Sequence, residues 1–117
     1  MSTAEIANMI ESIGLPYSYY QFDEDTGQQP PFVVFYYPEN NDFVADNKNY
    51  VNVFQLVIEL YTDEKDFSLE ADVEKALNDN GLVYSRQETK LDDERMYEVI
   101  FTTQVVITEV STDEQQS

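Results

Sequence analysis

Histidine and cysteine are both absent from this 117-residue chain, and lysine and arginine together number only six. The first absence removes the commonest general base, the usual thiol nucleophile and the usual soft-metal ligands. It also excludes disulfides, so the chain can work in reducing or oxidising surroundings and its redox compartment stays open. The shortage of cations, set against 24 Asp and Glu, leaves a formal net charge of −18. Such a surface repels nucleic-acid phosphates and anionic membranes unless its cations cluster, and Lys48, Lys65, Lys75, Arg86, Lys90 and Arg95 are scattered along the sequence. Sequence-specific nucleic-acid binding is therefore not expected. No stretch approaches the about 20 apolar residues that span a bilayer, and the N-terminus has neither a basic segment nor a signal-type apolar run. The reading is a soluble chain, cytoplasmic at synthesis, with no membrane partner.

What is present is material for a core. Hydrophobic residues make up 42% of the chain and aromatics 14%, which separates it from a disordered acidic tail. The length fits one domain that buries roughly two-thirds of the surface its unfolded chain would expose. Residues 1–107 read as that domain, and residues 108–117 as an acidic, flexible tail.

Ile6, Met9, Ile10 and Ile13 follow the spacing of one helical face, with Ser2 and Glu5 as a capping box and Gly14 and Pro16 as the stop. Tyr17 to Phe22 reads as a strand, and Phe32 to Tyr37 as a second, apolar at every position and so covered either on both faces within the fold or on one face by a neighbouring subunit. Pro38 to Asn49 reads as a long polar loop carrying apolar Phe43 and Val44 at its centre, where they either pack on their own sheet or dock elsewhere. Tyr50 to Thr62 is the longest strand candidate. Phe54, Leu56, Ile58 and Leu60 share one of its faces, and the other is half apolar through Val51, Val53, Val57 and Tyr61. A second helix runs to about Asn80 with Leu69, Val73, Ala76 and Leu77 on its stripe, stopped by Gly81. Strands over Leu82 to Glu88 and Arg95 to Ile107 follow, separated by an acidic turn, Leu91 to Glu94.

The order helix, three strands, helix, two strands predicts an α+β domain: a mainly antiparallel sheet of about five strands with two helices on one face. The second sheet face and at least one edge then stay open for self-association, unless a neighbouring loop covers that face. Candidate interface residues are Asp42, Phe43, Val44, Val51, Val53, Val57 and Tyr61.

Catalytic chemistry finds little support. Carboxylates pair at Asp23/Asp25, Asp63/Glu64 and Asp92/Asp93, but in predicted exposed turns rather than in the dry or crowded surroundings that a catalytic acid needs. Asp23 to Gly27 opens like a calcium loop yet lacks the later glycine and glutamate. Asn78 to Gly81 is more simply a helix end than a cation site. There is no phosphate-binding glycine loop or nucleophile elbow, and the nine tyrosines fit sheet packing better than nucleic-acid stacking. The expectation is a non-enzyme without cofactor or metal.

Several strings in this order of elements carry a family resemblance. They are Pro31-Phe32-Val33-Val34-Phe35-Tyr36, Val57-Ile58-Glu59-Leu60-Tyr61-Thr62 running into Asp63-Glu64-Lys65-Asp66, the helix end Leu77 to Gly81, and Glu94-Arg95-Met96-Tyr97. Together they cover most of the chain from Pro31 onward, and they resemble the tail-completion proteins of long-tailed bacteriophages, also called tail terminators or head-tail joining proteins. The resemblance implies a virion protein of the tail and neck that forms a ring, a hexamer, at the head-proximal end of the tail tube. It would end tube growth and meet the tail tube protein and the head connector proteins. An acidic lumen would let DNA slide, since like charges repel within a Debye length of about 8 Å. A different class is also open on charge alone: a small acidic DNA mimic that inhibits a nucleic-acid-binding host protein. The mostly uncharged strands, with acids gathered in turns and on helix faces, favour assembly over mimicry.

Overall fold

The computed structural model describes residues 1–22, 27–38, 43–45, 48–51, 53–91 and 96–108, and for residues 43–51 the backbone path alone. In chain order the elements are α1 (Thr3–Glu11), β1 (Tyr17–Tyr19), β2 (Phe32–Tyr36), β3 (Phe43–Ala45), β4 (Lys48–Val51), β5 (Val53–Thr62), α2 (Phe67–Asp79), β6 (Tyr84–Leu91) and β7 (Met96–Val106).

Each helix starts and stops on the residues that the sequence supplies for it. Ser2 Oγ accepts from the Glu5 amide at 3.0 Å and Glu5 Oε1 accepts from the Ser2 amide at 2.8 Å, which closes the capping box of α1. Asp66 caps α2 by accepting from the Leu69 amide at 3.0 Å. Gly81, at φ +70°, ends α2 in the left-handed region and lets the Leu82 amide return to the Leu77 carbonyl at 3.0 Å.

Five strands form one sheet in the order β1-β2-β5-β7-β6. β1 runs parallel to β2, and the other three pairings are antiparallel, so the sheet is mixed at one edge only. The α+β architecture is as the sequence predicts, with two corrections. The expected loop Pro38 to Asn49 contains β3 and the start of β4, which pair with each other and with no strand of the main sheet. The apolar triplet Phe43-Val44-Ala45 and the segment Asn49-Tyr50-Val51 are strand formers on either side of turn-prone Asp46-Asn47, a hairpin signal outweighed by the polar composition around it. The long strand Tyr50 to Thr62 is correspondingly split into β4 and β5. The first strand also stops early, at Tyr19, because Tyr20 takes a positive φ of 72°. Residues 23–26 of the expected turn Asp23 to Gly27, residues 92–94 of the expected turn Leu91 to Glu94, Asp42, and the tail from residue 109 lie outside the described residues, while Leu91 is the last residue of β6.

The core lies between the helices and one sheet face. Ile6, Met9, Ile10 and Ile13 of the first helical region and Val73, Ala76 and Leu77 of α2 pack on Val33, Phe35, Leu56, Ile58, Leu60, Val99, Phe101 and Val105. Fully burying a side chain of this size is worth about 1.5–3 kcal/mol, so this layer supplies the main drive to fold. Among the described residues no helix is long and apolar enough to cross a membrane.

One acid sits inside this layer. Glu70 continues the α2 stripe with Val73 and Leu77 and is 2% exposed. Its Oε2 lies 2.8 Å from Lys65 Nζ, and its Oε1 accepts from the Arg86 guanidinium. Lys65 also pairs with Glu88, and Arg86 Nη1 lies 3.5 Å from Glu74 Oε1. The hydrogen bond to Glu70, with that to Glu88 next, holds the Lys65 ammonium above its usual pKa. The first turn of α2 is thereby tied to the turn before it and to β6. Replacing Arg86 with Met leaves a buried carboxylate with half its countercharge and is expected to cost about 3 kcal/mol. Adding Glu70→Met removes the buried charge and is expected to recover most of that loss, read as the shift in urea midpoint at unchanged slope.

Candidate assembly surface

The strand period of two sends alternate side chains away from the helices, and the register aligns them into rows. Phe32 opposes Tyr61, which opposes Glu98; Val34 opposes Glu59, which opposes Ile100; Tyr36 opposes Val57, which opposes Thr102. This helix-free face is aromatic and acidic rather than uniformly polar.

Its rings are in contact. Phe22 meets Phe32 edge-on at 5.2 Å, Phe32 stacks on Tyr61 at 4.9 Å, and Tyr20 tilts against Tyr36 at 5.7 Å between centroids. The left-handed Tyr20, a costly conformation for a bulky residue, leads the chain across the sheet edge; its amide donates to the Phe35 carbonyl at 2.8 Å. Residues 20–22 and 27–28 thus form one wall of an open concavity of about 560 Å³, with Phe32, Val34, Glu59, Tyr61 and Met96 as its floor and far side.

Glu59 is the polar centre of this face. Its Oε2 accepts from the Tyr36 hydroxyl at 2.9 Å, and its Oε1 lies 2.9 Å from the Tyr61 hydroxyl, which is also 2.7 Å from Glu98 Oε2. Burial, followed by the hydrogen bond to Glu59, pushes the Tyr36 phenol up to about 12. Burial and its bonds to Glu98 and Glu59 push Tyr61 upward too. Among the described residues no group of three or more His, Cys, Asp or Glu could hold a metal ion.

The sequence-derived interface residues fall into two groups. Val53, Val57 and Tyr61 lie on the helix-free face of β5, but Val57 is only 6% exposed and so is largely covered within its own chain. Phe43, Val44 and Val51 lie on the separate hairpin, where Phe43 is in register with Val51 and Val44 with Asn49. The sequence reading missed Glu59 and Tyr36 as a hydrogen-bonded pair, because they sit 23 residues apart and only strand register brings them together.

No family model matches the chain, and no curated protein matches it. Among solved structures, a chain in the virion of a native gene transfer agent particle superposes on it with a TM-score of 0.58 at 14% identity. The match covers 86% of this chain and 84% of that one. The two chains share a fold over nearly their whole lengths.

The raised phenols make stability depend on alkaline pH. A tyrosine unfolded has a pKa near 10 and Tyr36 folded one of about 12, so the folded state binds the proton more tightly. The contribution is complete below about pH 10 and is lost as pH rises from there through 12. Absorbance titration at alkaline pH is expected to show late-ionising tyrosines whose amplitude falls in Tyr36→Phe; full ionisation near pH 10 without unfolding would contradict this network.

Proposed function

We infer that this chain is a structural subunit of a phage-type virion, and more finely a ring-forming tail terminator that closes the tail tube and meets the head connector. The observation that carries the coarser reading is the shared fold with a chain of the gene transfer agent virion, over 86% of this chain. The finer reading rests on the resemblance of the Phe32 to Tyr36 and Val57 to Asp66 strings to tail-completion proteins.

Two physical features support assembly as the role. A lone two-stranded hairpin is at best marginally stable in water, and β3 and β4 pair with no other strand among the described residues, so a neighbouring subunit is a natural support for them. The aromatic face beyond the helices offers apolar contact that a solitary domain does not need. Each subunit carries a charge of −18, and packing several in a ring opposes assembly over about a Debye length, roughly 8 Å at physiological salt. A non-catalytic role fits a chain without histidine or cysteine.

Light scattering across protein concentration and salt is the test. A closed species of about six chains, favoured by salt that screens the acids, is expected alone or with tail tube protein. Replacing both Phe43 and Val44 with Ser is expected to abolish that species while circular dichroism and the unfolding midpoint of the monomer stay unchanged. A chain that stays monomeric in every condition, with tube and connector proteins present, would sink the ring, and capture of a DNA-binding protein at that point would favour the mimic.

A further inference from the structure

The outer edge of β6 is long and unguarded. β6 pairs with β7 on one side, and no strand among the described residues pairs with it on the other. Its register on β7 runs from Tyr84 to Leu91 without a shift, so no bulge turns the edge away, and no proline interrupts it. Every second residue of such a strand points its N–H and C=O outward. The charges that would guard an edge are committed elsewhere: Arg86 to Glu70 and Glu74, Glu88 to Lys65, and Lys90 lies over the Tyr97 ring. The opposite edge is a poorer template, since β1 has three residues and ends where Tyr20 turns to a φ of 72°.

We propose that β3 of one copy of this chain adds to the β6 edge of the next, so that each main sheet gains its neighbour's hairpin. This contact rests on the reading of the chain as a self-assembling subunit and names the surfaces that meet. β4 runs within one residue of β5, which leaves β3 as the strand of the hairpin free to lie along a neighbour. Donor and acceptor are different surfaces, so the contact is heterologous and propagates into a ring or a filament instead of closing at two copies.

Both surfaces suit a second copy. At −18 per chain, two copies meet closely only through surface free of acids. Phe43 to Ala45 carry no charge, and the one charge in β4 is the cation Lys48. At the receiving edge, an open concavity of about 620 Å³ beside Ser85 and Thr102 has no charged residue in its lining. Val83, just ahead of β6, is 89% exposed and gives the incoming strand an apolar side chain to cover.

The chain has no cysteine, so single introduced cysteines report the contact. Phe43→Cys or Val44→Cys protein is mixed with Ser85→Cys, Gln87→Cys or Thr89→Cys protein, under the conditions in which light scattering gives the largest species, and oxidised. A disulfide between the two different variants is expected in at least one of these pairs, in a yield at least about tenfold above that of the same hairpin variant with Glu11→Cys on α1. Alternate β6 amides are expected to exchange about tenfold more slowly in the wild-type assembly than in the monomer, and this measurement decides if the variants do not fold. Val44→Cys or Gln87→Cys joining only to itself would show hairpin meeting hairpin or edge meeting edge, and either would overturn the contact. An assembly whose β6 amides stay unprotected would overturn it while leaving the ring intact. Mixed disulfides in an open filament would uphold it and sink the closed ring, and a chain that never leaves the monomer would sink both.

Discussion

A single buried carboxylate organises this domain. Glu70 stands at a position of α2 where the helical stripe calls for an apolar side chain, and its charge is tolerable there only with Lys65 and Arg86 beside it. β6, which brings Arg86, is polar along most of its length, and its residues from Ser85 to Glu88 are exposed. Besides its backbone ladder to β7 it is held by this cluster and by the Tyr84 hydroxyl on Glu74 at 2.8 Å. Moving β6 away from α2 with Glu70 still buried would leave that carboxylate with Lys65 alone. The cluster therefore selects one geometry, whatever its net contribution to stability.

The two faces of the sheet divide the labour. Toward the helices, branched aliphatic residues and Phe101 form a closed layer. Away from them, Tyr36 and Tyr61 bring hydroxyls to Glu59 and Phe32 stacks on the Tyr61 ring, a surface that is neither core nor ordinary solvated sheet. The acidity of the chain is thus not a uniform coat: part of it is buried against cations and part is held by phenols.

Most of the fold was legible because it rests on local pattern. The Ile6-Met9-Ile10-Ile13 spacing, the Ser2/Glu5 box, the Gly81 stop and the alternation in Val53–Thr62 each specify structure within a few residues, and each is present. What escaped was set by partners far along the chain. Glu70 reads as a solvated helix acid until Arg86 arrives from β6, and Glu59 reads as an outward-facing strand acid until register sets Tyr36 and Tyr61 beside it. The parallel pairing of β1 leaves no mark in its composition, since Tyr17-Ser18-Tyr19 would suit either direction. The hairpin was hidden differently, its short apolar triplet diluted by Asn and Asp on both sides.

The join between β4 and β5 has a mechanical consequence. One residue separates the hairpin from the strand paired on one side with β2 and along its whole length with β7. A pull on the hairpin enters at the first residue of β5, and its component along the strand loads the ladders on both sides in shear, with many hydrogen bonds sharing the force at once. Peeling, in which bonds fail one after another, is not available from that direction. Tension entering at the hairpin would meet the domain along its strongest axis.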